Sequence, residues 1–126
     1  MVRAATLYLV CGKIYAGKST LMRELAAQPS TLLVSEDHWA SHLFGPDLKT
    51  LDDYVRLSAR LRAAMGPHVV DILRQGLSVA LDFPANTVRT RAWMRGIIDD
   101  ANVAHELHVL DLPDAVCLAR LHARNA

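Results

Sequence analysis

Gly12-Lys13-Ile14-Tyr15-Ala16-Gly17-Lys18-Ser19-Thr20 follows the Walker A pattern Gly-x-x-x-x-Gly-Lys-Ser. Its residue types fit one task, gripping a chain of phosphates. Glycines permit positive φ, so successive backbone N–H groups can turn inward as an anion-binding nest. The ammonium of Lys18 is spaced to reach β- and γ-phosphate oxygens, and the Ser19 hydroxyl to ligate Mg²⁺. A helix opening at this point adds the positive end of its dipole. All nine residues are therefore candidate nucleotide ligands.

Other chemistry-bearing residues cluster after apolar runs. Ser35-Glu36-Asp37-His38 follows one run, and Asp82, Asn86, Arg89 and Arg91 follow another. In open parallel sheets ligands gather beyond the carboxyl ends of the strands, so these positions converge on the Walker loop. Asp37 can take the proton of a substrate hydroxyl, or it can cap a helix starting near His38. An ionised carboxylate at the end of an apolar strand needs a cation, so Asp82 calls for a metal or an arginine. Arg89 and Arg91, two apart on a helix, diverge, and only one of them can face a ligand. Arg120 and Arg124 lie four apart on one helical face, where they can close over a triphosphate or simply meet solvent.

These residues need elements to hold them. Thr6–Cys11 is an apolar, β-prone run typical of a strand buried on both faces. A helix over about 19–27 follows, ended by Pro29. Thr31–Ser35 is a second strand. Thr50-Leu51-Asp52-Asp53 resembles a capping box opening a helix with Leu51, Val55, Ser58, Leu61 and Met65 along one face. Gly66-Pro67 predicts a kink or split before that helix resumes to a Gly76 cap. Leu77–Asp82 is a third strand. A helix capped by Asn86 or Thr87 runs to about Asn102, Glu106–Leu110 is a fourth strand, and Pro113 opens a last helix. Regular alternation of this kind predicts an α/β fold with a mostly parallel sheet. Trp39 and Trp93 are expected to pack against that sheet.

The chain of 126 residues is 52% hydrophobic and 21% charged, with a net charge of +1. One compact domain is expected, without a broad nucleic-acid surface. No stretch approaches the ~20 apolar residues of a membrane span. Cys11 and Cys117 lack metal-ligand spacing and read as buried thiols of a cytoplasmic protein. His105 and His108, three apart in a strand, face opposite sides and cannot share a metal.

With the loop, the Ser35-Glu36-Asp37 step, the Asp82-x-x-x-Asn86-x-x-Arg89 run ending in Trp93, and Asp111-Leu112-Pro113 before Arg120 and Arg124, the chain resembles a group of P-loop kinases. That group includes the kinase domain of polynucleotide kinases, zeta toxins and chloramphenicol phosphotransferase. The resemblance spans about Leu7 to Arg124. It implies a three-layer P-loop NTPase fold of the nucleoside and nucleotide kinase type, with the third strand beside the first. It also implies ATP with Mg²⁺ and transfer of the γ-phosphate to a hydroxyl of a small molecule or a nucleic-acid end. By position, Lys18 and Ser19 hold phosphate and metal, Asp37 is the base, and Asp82 and Arg89 position the acceptor. Asp82 also serves the metal, and Arg120 and Arg124 form the lid. Relatives continue with another helix and a fifth strand beyond this lid. The chain is therefore expected to be C-terminally truncated, with the first or fourth strand left as an open edge. Two other functions fit the same loop, nucleotide binding without catalysis and ATP hydrolysis coupled to a partner.

Overall fold

In the computed structural model, residues 5–12, 17–85 and 87–110 are described. The expectations for Lys13–Ala16, Asn86, Asp111–Pro113, Cys117, Arg120 and Arg124 lie outside them. Four strands, β1 (Thr6–Gly12), β2 (Thr31–Ser35), β3 (Ser78–Asp82) and β4 (Ala104–Leu110), form one parallel sheet in the order β2-β3-β1-β4. The third strand does lie beside the first. Among the described residues the edges are β2 and β4 and β1 is interior, so of the two strands expected to carry an open edge it is the fourth that lies at one.

Parallel neighbours require crossovers, which four helices supply: α1 (Lys18–Ala26), α2 (Glu36–Phe44), α3 (Leu51–Arg74) and α4 (Val88–Ala101). Alternation along the strands sorts the sheet into two faces. Val10 and Ala80 meet Met22 and Leu25 of α1. Leu7, Leu9, Val79 and Leu81 meet Leu61, Met65, Val69 and Leu73 of α3 and Met94, Ile97 and Ile98 of α4. The result is the three-layer α/β architecture that the alternation implied.

Local signals at the helix ends act as their chemistry suggests. Thr50 Oγ1 accepts from Asp53 N at 3.1 Å, while the Asp53 carboxylate reaches past it to Lys49 N at 3.3 Å. Thr87, not Asn86, is the described cap of α4, accepting from Thr90 N at 3.1 Å. Gly76 takes φ 88° just after α3, the left-handed geometry that closes a helix.

Two side-chain expectations fail. Leu51 and Val55 are exposed at the outer start of α3, so its buried face begins only at Leu57 and Ser58. Trp39 is exposed on α2 rather than packed on the sheet.

The split at Gly66-Pro67 does not occur either, because α3 runs unbroken through Pro67. Proline in a helix interior costs ~3 kcal/mol. Burial of Met65, Val69, Val70 and Leu73 on the same stretch offsets it, at ~1.5–3 kcal/mol per side chain. Trp93 of α4 adds a fastening. Its indole N–H donates to the Arg62 carbonyl at 3.0 Å, and its ring tilts against Phe83 at 5.1 Å. Gly66 makes that approach feasible, since a Cβ there would lie 2.9 Å from Trp93 Nε1. Gly66→Ala should therefore destabilise by about 1–3 kcal/mol through overpacking, despite alanine's better helix propensity. Denaturant melts check this; an unchanged or raised midpoint would mean that α3 and α4 do not meet as described.

Candidate active site

The site begins where β1 hands over to α1. Gly12 is required by packing, because a Cβ there would sit 2.8 Å from the Leu110 carbonyl oxygen of β4. Gly17 caps α1 at φ 94°, a left-handed conformation that an L side chain pays ~1–2 kcal/mol to adopt. No side chain caps α1 and no acidic residue stands in its first turn. Nothing of that kind competes with an anion at its positive end.

Lys18, the first residue of α1, reaches across to β3. Its Nζ lies 3.2 Å from Asp82 Oδ1, with side-chain exposures of 27% and 13%. The same Asp82 oxygen is buried and makes no hydrogen bond of good geometry, so the pair is held by charge and proximity rather than an aligned bond. The cation that Asp82 meets among the described residues is thus a lysine, where the sequence reading expected a metal or an arginine. A hard cation favours oxygen ligands. A buried carboxylate oxygen without a hydrogen bond, paired with the residue that precedes an exposed Ser19, fits that demand. Among the described residues no cluster of three or more His, Cys, Asp or Glu could hold a metal alone, so phosphate oxygens and water would complete the shell.

At the end of β2, Ser35 caps α2, its Oγ accepting from His38 N at 3.4 Å. The helix therefore starts at Glu36, and Asp37 is not its cap but an exposed second residue. Glu36 turns inward and is only 3% exposed. It accepts a hydrogen bond from the Tyr54 hydroxyl of α3. Burial raises the Glu36 pKa above its ordinary 4.5; the Tyr54 bond opposes this, Asp37 adds to it, and Arg62 and Lys18 oppose it. Burial, with the adjacent carboxylate, pushes Tyr54 up to about 12.

A folded-state pKa above the unfolded value means that the native state binds the extra proton. The Glu36 contribution is full below pH 4.5 and is lost as pH rises through the raised value. Relative to wild type, Glu36→Gln should therefore gain stability from pH 4 to pH 7. Melting temperatures of both proteins across that range check the sign, and a parallel pair of curves would refute it.

Glu36, Tyr54, Val55, Ser58, Arg62, Pro84, Thr87, Arg89 and Thr90 enclose a cavity of about 420 Å³. Arg89 lines it, whereas Arg91 folds back with Nε 3.3 Å from the Thr87 carbonyl. Only one of the two faces the cavity, as their spacing required. Sequence reasoning named Glu36 without a role and Ser58 only as part of a helix face, and it missed Tyr54 and Arg62. A readable trace existed: Tyr54, Ser58 and Arg62 recur every four residues, a polar stripe beside the apolar one of Leu57, Leu61 and Met65.

A phosphate-ready helix start, a lysine–aspartate pair across the strand ends and a cavity beside them define a P-loop kinase-like domain. Residues 7–126 match the family described as AAA domain, and the chain belongs to it. No curated protein matches the sequence significantly. A chain of the Pnkp1/Rnl/Hen1 complex superposes with a TM-score of 0.76 at 21% identity, covering 97% of this chain and 40% of that one. A proposed kinase from Chloroflexus aurantiacus gives 0.80 at 19%, covering 99% and 69%. The Mycobacterium tuberculosis APS kinase CysC, in complex with AMPPNP and APS, gives 0.68 at 20%, covering 97% and 73%. This chain therefore spans two fifths of the first of these and about seven tenths of the others.

Proposed function

We propose that the protein transfers the γ-phosphate of ATP to a hydroxyl of a small molecule or a nucleic-acid end. The Lys18–Asp82 pair carries the reading, because it joins the phosphate-binding helix to the strand end where an acceptor would stand. The Walker pattern of Gly12–Thr20 is the proposed phosphate-binding segment, and Lys18 would leave Asp82 to engage the β- and γ-oxygens. Bound Mg²⁺, held by Ser19 and Asp82, would neutralise charge on the phosphates.

Asp37 accepts the proton of the acceptor hydroxyl. The freed oxygen forms a bond to the γ-phosphorus, the bond to the β,γ-bridging oxygen breaks, and ADP departs. Arg89 and Asp82 orient the acceptor. Arg120 and Arg124 keep the role that the sequence resemblance implies, positive charge over the transferring group. A cytoplasmic setting suits a protein that draws on ATP, and among the described residues no helix is long and apolar enough to cross a membrane.

The test is transfer of labelled γ-phosphate to a panel of hydroxyl-bearing acceptors. Label should appear on an acceptor with wild type and not with Lys18→Ala. Release only as inorganic phosphate, independent of any acceptor, would favour simple hydrolysis instead.

A further inference from the structure

We infer, resting on the kinase reading only for the fate of the bound molecule, that the 420 Å³ cavity takes a compact anion with a free hydroxyl. The class is a phosphomonoester or carboxylate of small-molecule size, not a nucleic-acid end.

Size points that way first. Ligand cavities run from ~300 to ~1,000 Å³, and one near the lower limit suits a single small molecule rather than a base with flanking chain. Charge points the same way. Arg62 and Arg89 line the cavity against one carboxyl, that of Glu36. Guanidinium groups present forked donors suited to carboxylate and phosphate oxygens. The net charge of +1 supplies no broad field for a polyanion.

A third observation concerns hydroxyl recognition. Ser58 is 3% exposed and lines the cavity, yet its Oγ has no hydrogen-bond partner of good geometry. It lies close enough to the Tyr54 oxygen to lower that group's pKa, but without the geometry of a hydrogen bond. Buried hydroxyls normally find partners, and a ligand hydroxyl would supply this one. Glu36 uses part of its acceptor capacity on Tyr54 and retains lone pairs for a donor. Lys18 also acts electrostatically on Glu36, so the polar floor lies within range of the phosphate-binding end. Val55 and Pro84 provide apolar wall for the carbon skeleton.

Calorimetry on the full chain tests this with pentose and hexose monophosphates, aldonates, the matching uncharged sugars and a hydroxyl-ended hexanucleotide. At least one anion should bind about 10–100-fold tighter than its uncharged counterpart, the span expected of charge-assisted hydrogen bonds. Arg89→Gln, at an exposed position that should not impair folding, should erase that preference, and Arg62→Gln should reduce it. Ser58→Ala should weaken the hydroxylated anion more than its deoxy form. Equal binding of charged and uncharged sugars, binding of the hexanucleotide alone, or a preference that survives Arg89→Gln would overturn the assignment. Labelled ATP separates the two readings. Selective anion binding without phosphate transfer sinks the kinase and leaves the recognition standing. Transfer to an acceptor with no anion preference does the reverse.

Discussion

Asp37→Asn should lower the turnover of phosphate transfer by about 10²–10⁴-fold, the contribution of a positioned general base. Binding of ATP should change little. The residue stands exposed at the start of α2, where its carboxylate can meet an incoming hydroxyl without first breaking an internal bond. Its neighbour makes the contrast. Glu36 is buried and already engaged with Tyr54, so Glu36→Gln should act chiefly on the KM for the acceptor. Steady-state kinetics on the two variants separate the roles. If Glu36→Gln abolished turnover while Asp37→Asn kept it, the base would have to be reassigned to the inward carboxyl.

The second large effect concerns the Lys18–Asp82 pair. Lys18→Ala strands a mostly buried carboxylate. Removing one partner of a fully buried pair costs roughly 3–5 kcal/mol. With Lys18 27% exposed, solvent screens part of this, and a loss of about 1–3 kcal/mol is expected. Asp82→Asn on top of Lys18→Ala should restore most of the lost stability, because no unpaired charge remains. Activity should not return, since the ammonium that grips phosphate is still missing; one such electrostatic contact is commonly worth about 10²–10³-fold in rate. Urea melts and transfer assays on the two single variants and the double variant complete the cycle. Additive stability losses would show that the two groups do not interact in solution.

Much of this was readable from residue order. The β-prone run before Gly12 and the amphipathic helix after it fix the strand–loop–helix unit, because buried parallel strands and helices have different periods. Caps at Thr50 and Thr87 and the turn at Gly76 were legible because they depend on a few neighbouring residues. What escaped detection depends on distant contacts. Nothing near Pro67 announces that Trp93, twenty-six residues on, docks against Gly66 and donates to the Arg62 carbonyl. Of the adjacent acids Glu36 and Asp37, local pattern does not say which turns inward; that is decided by Tyr54 arriving from α3. The cavity lined by Glu36, Tyr54 and Arg89 is assembled from α2, α3, α4 and residues between β3 and α4, so its walls are adjacent only in the folded chain. Burial of one face of α3 was foreseen, but its onset shifted from Leu51 to Leu57, since Leu51 and Val55 remain exposed.

Titration calorimetry of Mg·ATP into wild type and Lys18→Ala tests the phosphate grip most directly. Wild type should bind one nucleotide per chain, and the variant at least about tenfold more weakly, a difference of ~1.4 kcal/mol or more. Equal affinities, or no heat with wild type, would contradict a nucleotide site built on the start of α1.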